Sequence, residues 1–203
     1  MRDAVREESR AAFREAILEA AEQVFGRLGF HDAKMADIAA EAGVAAGTLY
    51  NYFKNKDEVF ASMLQRGQER VTALFEAHAE VDDPIERMRL RMRDTFAYLE
   101  AHGVLFTMFV RLGGFIDYAQ KRAVEDHCEH GYTQSVNRTQ AVIREALARG
   151  QLRRDIPVED LTALLTGLCD ATIFAWTRAG CPPGLPARAD TIIELFLRGA
   201  HAP

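Results

Sequence analysis

The stretch Lys34-Met35-Ala36-Asp37-Ile38-Ala39-Ala40-Glu41-Ala42-Gly43-Val44-Ala45-Ala46-Gly47-Thr48-Leu49-Tyr50-Asn51-Tyr52-Phe53-Lys54-Asn55-Lys56 decides the fold. Met35, Ile38, Ala39 and Ala42 recur at helical spacing and share one face. Gly43 ends that helix, because a residue without Cβ enters the left-handed region at little cost. Val44 fills the corner, and a second helix turns Leu49 and Phe53 inward, four residues apart. Ala39 is small where a crossing helix must come close. This is the pattern of a helix-turn-helix over about 34–53, whose second helix enters the major groove of double-stranded DNA.

The outward side of the second helix supports that reading. Thr48, Tyr50, Asn51 and Tyr52 offer hydroxyls and an amide, which donate to phosphates or touch base edges. Lys54 and Lys56 follow where a cation suits both the helix dipole and a phosphate.

Two short helices bury too little surface to stand alone. The residues before them supply a brace. Phe13, Ile17, Ala20, Ala21, Val24, Phe25 and Leu28 repeat at three and four, so a helix is expected over about 8–28, stopped by Gly29. After the motif, Asn55 caps and Glu58 stands three residues on, the start signal of a helix reaching about residue 78. That helix is the expected mechanical link between head and body. Asp83-Pro84 opens another, with Ile85, Met88, Met92, Phe96 and Leu99 as its buried stripe and Gly103 at its end. Residues 104–112 are apolar nearly all round, as in a short helix buried inside a helical body.

The pattern stays helical over about 115–149 and 157–179. In the second of these, Leu161, Leu164, Leu165, Leu168, Thr172, Ile173 and Trp176 form the inward stripe. Gly180-Cys181-Pro182-Pro183-Gly184 is a rigid break, and a last helix covers about 186–198. No strand alternation, internal repeat or low-complexity run is present. The expected fold is all-α with about nine helices, divided into residues 1–55 as head and 56–203 as body.

Composition bounds the function. The chain has 203 residues, 48% hydrophobic and 27% charged, ordinary for a globular protein with a real core. No run of apolar residues is long enough to span a membrane, and the charged first ten residues are not a secretory signal. Cys128, Cys169 and Cys181 show no motif spacing, so free thiols in a reducing cytoplasm are expected. The net charge of −5 sits awkwardly with DNA, and the first 60 residues hold eight Lys and Arg against eleven Asp and Glu. The arrangement answers this in part. Arg2, Arg6, Arg10 and Arg14 form one stripe if the first helix extends that far, and Lys34, Lys54 and Lys56 cluster at the motif. A local basic patch on an acidic protein is the expectation.

Taken together, Ile17-Leu18, Ala20-Ala21, Val24-Phe25, Gly29-Phe30, Asp37-Ile38-Ala39, Ala42-Gly43-Val44, Gly47-Thr48-Leu49-Tyr50, Tyr52-Phe53 and Asn55-Lys56 resemble the DNA-binding head of the TetR family of bacterial regulators. The resemblance implies a three-helix head on an all-α ligand-binding body, a homodimer, and repression relieved by a small molecule. It implies that Thr48, Tyr50 and Lys56 hold phosphates, that Ala45, Ala46, Gly47 and Asn51 face base edges, and that Tyr52 touches the DNA backbone. Two positions depart from the family pattern. Ala33 and Lys34 replace a capping Thr or Ser, so Lys34 is free to reach a phosphate. Ala36 replaces an Arg that reads bases in some members, leaving apolar contacts or DNA shape to carry more of the specificity.

The family pocket falls among the helices between residues 83 and 179. There Phe96, Thr107, Phe109, Arg111, Tyr118, Tyr132, Cys169 and Trp176 are the candidate lining, with Arg111 a partner for an anionic ligand or a surface group. His127 and His130 share a helix face beside Cys128, but a metal would need ligands that nothing signals. No nucleophile turn, carboxylate pair or phosphate loop appears, so neither an enzyme nor a cofactor is expected. The expected function is a ligand-responsive repressor, dimerised through its last two helices on a near-palindromic operator. The alternative is a DNA-binding regulator without a small-molecule effector, controlled by a protein partner or constitutive.

Overall fold

The computed structural model describes residues 2–103 and 118–200, with side chains described for 7–103 and 132–200. The described residues form eight helices and no strand: α1 Arg2–Leu28, α2 Met35–Glu41, α3 Ala46–Tyr50, α4 Lys56–Ala77, α5 Pro84–Ala101, α6 Tyr118–Ala148, α7 Val158–Arg178 and α8 Arg188–Ala200. The all-α expectation stands. The short helix expected over 104–112 lies outside the described residues. None of the described helices is long and apolar enough to cross a membrane.

The described residues divide into two compact units, one built on residues up to Gly67 together with 118–124 and the other on 68–103 and 125–200. The first unit runs past residue 55, where the sequence reading placed the boundary. Val59, Phe60 and Met63 of α4 are buried in the same core as Ile17, Val24 and Phe25 of α1, Ile38 of α2, Leu49 and Phe53. Half of α4 is therefore head. The repeat on α1 holds inside and frays outside: Phe13 and Leu28 are 39% and 40% exposed.

Local chemistry sets the ends. Gly29 at φ 77° and Gly43 at φ 67° adopt the left-handed conformation that L side chains resist, and each follows a helix. Lys34 has no acceptor with which to cap α2. The cap closes from the other side, with the Asp37 carboxylate accepting the Lys34 N–H at 2.9 Å. At α4, the Asn55 side chain accepts the Glu58 N–H at 2.9 Å, while the Glu58 carboxylate accepts from Lys54 at 2.6 Å.

In the second unit, the Asp83 carboxylate caps α5 through the Ile85 N–H, and Pro84 occupies the first turn. The same end is tied to α6: Arg87 pairs with Glu145, and Arg149 with Asp82 at 3.0 Å. Asp190 of α8 accepts from Arg93 and Arg89 of α5, and those arginines hold its carboxyl below the usual range. Trp176 is the largest fully buried side chain, its indole N–H donated to the Pro182 carbonyl at 2.7 Å. It also sets what Gly103 tolerates, since a Cβ there would come within 3.0 Å of the indole ring. Not all of the α7 stripe is inside. Leu164 is 58% exposed, and with Leu168, Leu195 and Phe174 it stays open.

Candidate nucleic-acid interface and body cavity

The Gly43 turn puts α3 on top of the head core. Leu49 and Phe53 point down and are at most 1% exposed, whereas Ala45, Ala46, Gly47, Tyr50 and Asn51 face outward. Thr48 is half-buried, at the edge of that face. Lys34 and Lys54 are exposed. A Cβ added at Gly47 would meet nothing within 4 Å, so no packing inside the protein requires a glycine there. The surface so formed is low in relief, with a phenol and an amide at one end and lysines at its margins.

Two residues expected on this face do other work. The Lys56 ammonium donates to the carbonyls of Phe30, His31 and Ala33 at 2.7, 2.8 and 3.2 Å, and lies 4.8 Å from the centre of the Phe30 ring. An ammonium has three N–H donors, and all three hold the loop between α1 and α2. Lys56 is thus a strut of the head rather than a free cation for a phosphate. Tyr52 is half-buried, stacked on Phe13 at 5.7 Å and 22°, with the Arg10 guanidinium 5.8 Å from its ring centre. The arginine stripe of α1 reaches this edge through Arg10, while Arg14 turns to the Phe53 ring and to Ser62. The side chains of Arg2 and Arg6 lie outside the described residues.

The acidity of the head is handled within it. Glu41 pairs with Arg27 at 2.8 Å, Glu15 and Glu22 pair with Arg66, and Asp37 and Glu58 serve as caps. None of these carboxylates is on the outward face of α3.

The second unit holds a cavity of about 150 Å³ between α5, α6 and α7, with Phe75 at one side. Of the candidates from sequence, Phe96, Tyr132 and Cys169 line it. Burial pushes the Cys169 thiol up to about 12, and the Asp170 charge adds to this. The Tyr132 hydroxyl donates to Asp170 at 3.1 Å; burial first, then the carboxylate, raises the phenol. Trp176 does not line the cavity; it is packed in the core, as described. Thr107, Phe109 and Arg111 lie outside the described residues, as do the side chains of Tyr118, His127, Cys128 and His130. Among the described residues no group of His, Cys, Asp and Glu is placed to hold a metal.

Sequence reasoning missed Arg91, Thr95, Thr166 and Asp170, which also line the cavity. A signal for the first two existed. Met88, Arg91, Met92, Thr95 and Phe96 sit at i, i+3, i+4, i+7 and i+8, the positions an amphipathic helix normally fills with apolar residues.

Comparison with known proteins agrees with this geometry. The chain is 25% identical over 187 residues to the fatty acid metabolism regulator protein of Bacillus subtilis, covering 91% of this chain and 94% of that one. It is 24% identical over 198 residues to the transcriptional repressor BepR of Brucella suis, covering 95% and 94%. The crystal structure of FadR from Bacillus subtilis in complex with stearoyl-CoA superposes with a TM-score of 0.72 at 23% identity, over 92% of this chain and 99% of that one. These relatives are regulators of transcription, not enzymes. Residues 17–63, which span the core of α1, the two-helix wedge and the start of α4, match the bacterial regulatory proteins of the tetR family.

Proposed function

We propose that the protein is a ligand-responsive repressor that binds a near-palindromic operator as a homodimer and leaves it when a small molecule enters the body. The observation that carries the DNA-binding part is the two-sided α3: Leu49 and Phe53 fixed in the core beneath, Ala45, Ala46, Gly47, Tyr50 and Asn51 open above. In this reading Thr48, Tyr50, Lys34 and Lys54 hold phosphates and set the register. Asn51 reads a base edge, and Ala45, Ala46 and Gly47 allow close approach. Lys56 and Tyr52 keep the wedge seated.

The exposed Leu164, Leu168 and Leu195 of α7 and α8 supply a self-complementary surface, as a two-fold dimer needs. Two-fold symmetry would then place the two reading helices about 34–36 Å apart. The cavity supports the effector part, as does the stearoyl-CoA bound to the Bacillus subtilis relative. A regulator without an effector would have no use for such a void. Helix α4 crosses from the first unit to the second at Gly67, so coupling between ligand and DNA would run along it, and it requires different ligand affinity in the two states.

The test is selection of DNA fragments from a random pool, followed by titration of the selected operator at several salt concentrations. Tyr50→Ala should weaken all sequences alike and leave the salt dependence unchanged, since a neutral phenol releases no counterion, whereas Asn51→Ala should change the preferred base at one position of each half-site. If neither variant changes binding, α3 is not the reading helix. A folded protein that stays monomeric in light scattering would overturn the dimer.

A further inference from the structure

The inward stripe of α5 brings two polar groups into an otherwise oily space. Arg91 Nε and Thr95 Oγ1 are buried and have no hydrogen-bond partner among the described residues. They are one helical turn apart and line the same cavity. Thr95 departs from the habit of this unit. Thr139, Thr162, Thr166, Thr172 and Thr177 each donate to the carbonyl four residues back. Buried donors without acceptors are rare in native proteins and call for a reason.

Positive charge outnumbers negative around them. Arg91 and Arg138 lie 5.6 and 5.8 Å from the centre of the Phe75 ring. Arg87 joins them in the adjoining cleft, which also contains Glu76 and Glu145. Glu145 is already engaged by Arg87 and Arg149. Burial first, then the positive charges of Arg87 and Arg138, lowers Arg91 from its ordinary value. A guanidinium nevertheless stays protonated at neutral pH, so this part of the cavity keeps a positive pole. Among the described residues the one carboxylate lining the cavity, Asp170, accepts from the Tyr132 hydroxyl, six residues back along α6 from Arg138. Met88, Met92, Phe96, Val142 and Leu165 supply apolar lining.

We infer that this cavity binds an apolar acid, a hydrocarbon chain ending in a free carboxylate, with the carboxylate seated on Arg91 Nε and Thr95 Oγ1. The inference rests on the effector-binding reading of the body and goes further. It selects the free acid over its neutral ester and over its thioester, whose carbonyl carries no charge. A carboxylate satisfies both donors at once and neutralises the pole, which an uncharged carbonyl does not.

Calorimetric titration of the full chain tests this, with straight-chain fatty acids from hexanoate to palmitate, their methyl esters and their coenzyme A thioesters. At least one acid should bind, and its methyl ester should bind about 10- to 100-fold more weakly, the range expected for losing a charge-assisted pair. Arg91→Gln should weaken the acid by that factor and leave the ester unchanged, which also shows that the cavity is intact. Thr95→Val, nearly the same shape, should weaken the acid several-fold and keeps the test available if the arginine variant does not fold. Equal binding of acid and ester, indifference to both substitutions, or binding of thioesters alone would overturn the carboxylate seat while leaving an effector site standing. Failure of every compound to bind would overturn both.

Discussion

Lys56 in the head and Arg91 in the body invite comparison. Each is a long cation at the edge of a core, and each lies near a phenylalanine ring. Lys56 has every donor engaged by backbone carbonyls; Arg91 has a buried donor without an acceptor. The head is a finished object, whose polar groups are matched internally and whose outward face is left plain. The body contains a void lined by buried polar atoms with no partner among the described residues. Under the function proposed above this division has a use: a part that meets DNA must hold its shape, and a part that senses must be completed by what it senses.

The largest expected effect tests whether the finished part of the body is truly distinct from the void. Trp176→Ala should destabilise the fold by about 3–5 kcal/mol, the cost of truncating a fully buried aromatic residue. It also orphans the Pro182 carbonyl. Urea unfolding followed by circular dichroism measures this. A loss below about 1 kcal/mol would mean that Trp176 borders unfilled space after all.

Cys169 probes the void itself. With its thiol at about 12 against an ordinary 9.0, the reactive thiolate at pH 8 should be about 100- to 1000-fold scarcer than in an unperturbed cysteine. Alkylation by iodoacetamide, read by mass spectrometry, should leave Cys169 unmodified until the protein is unfolded. The sign of the linkage follows. Burial favours the protonated thiol, so its contribution to stability is complete below the unfolded pKa and is lost as pH rises towards 12. Rapid labelling at pH 8 would show that water reaches the cavity freely.

Lys56→Met returns the comparison to the head. Removing three hydrogen bonds from partly exposed carbonyls should cost about 2 kcal/mol and lower the melting temperature in the absence of DNA. Were the lysine only a phosphate contact, the melting curve would not move and operator affinity alone would fall.

How much of this was legible in sequence follows the same line. Gly29, Gly43, the Asp83-Pro84 cap and the Leu49/Phe53 pair were readable because each depends on neighbours within a few residues. The role of Lys56 was not, because its three acceptors lie 23 to 26 positions away. The open leucines were not either. Period alone places Leu164 and Leu168 beside Leu161 and Leu165, and only tertiary packing decides which of them are covered. Arg91 and Thr95 were passed over because a polar residue in an apolar stripe reads as noise until the void in front of it is seen.

The smallest expected effect concerns Gly47 and separates shape from stability at a single atom. The position is helical and open, so Gly47→Ala should leave the fold unchanged or stabilise it by less than about 1 kcal/mol. The same methyl group would stand on the surface proposed to approach DNA, where glycine permits the closest contact. Operator affinity should therefore fall while the melting temperature holds or rises. A variant that melts as before and binds as before would mean that the duplex never comes within a methyl's reach of this helix. The plainness of the face would then have no bearing on how the protein reads its site.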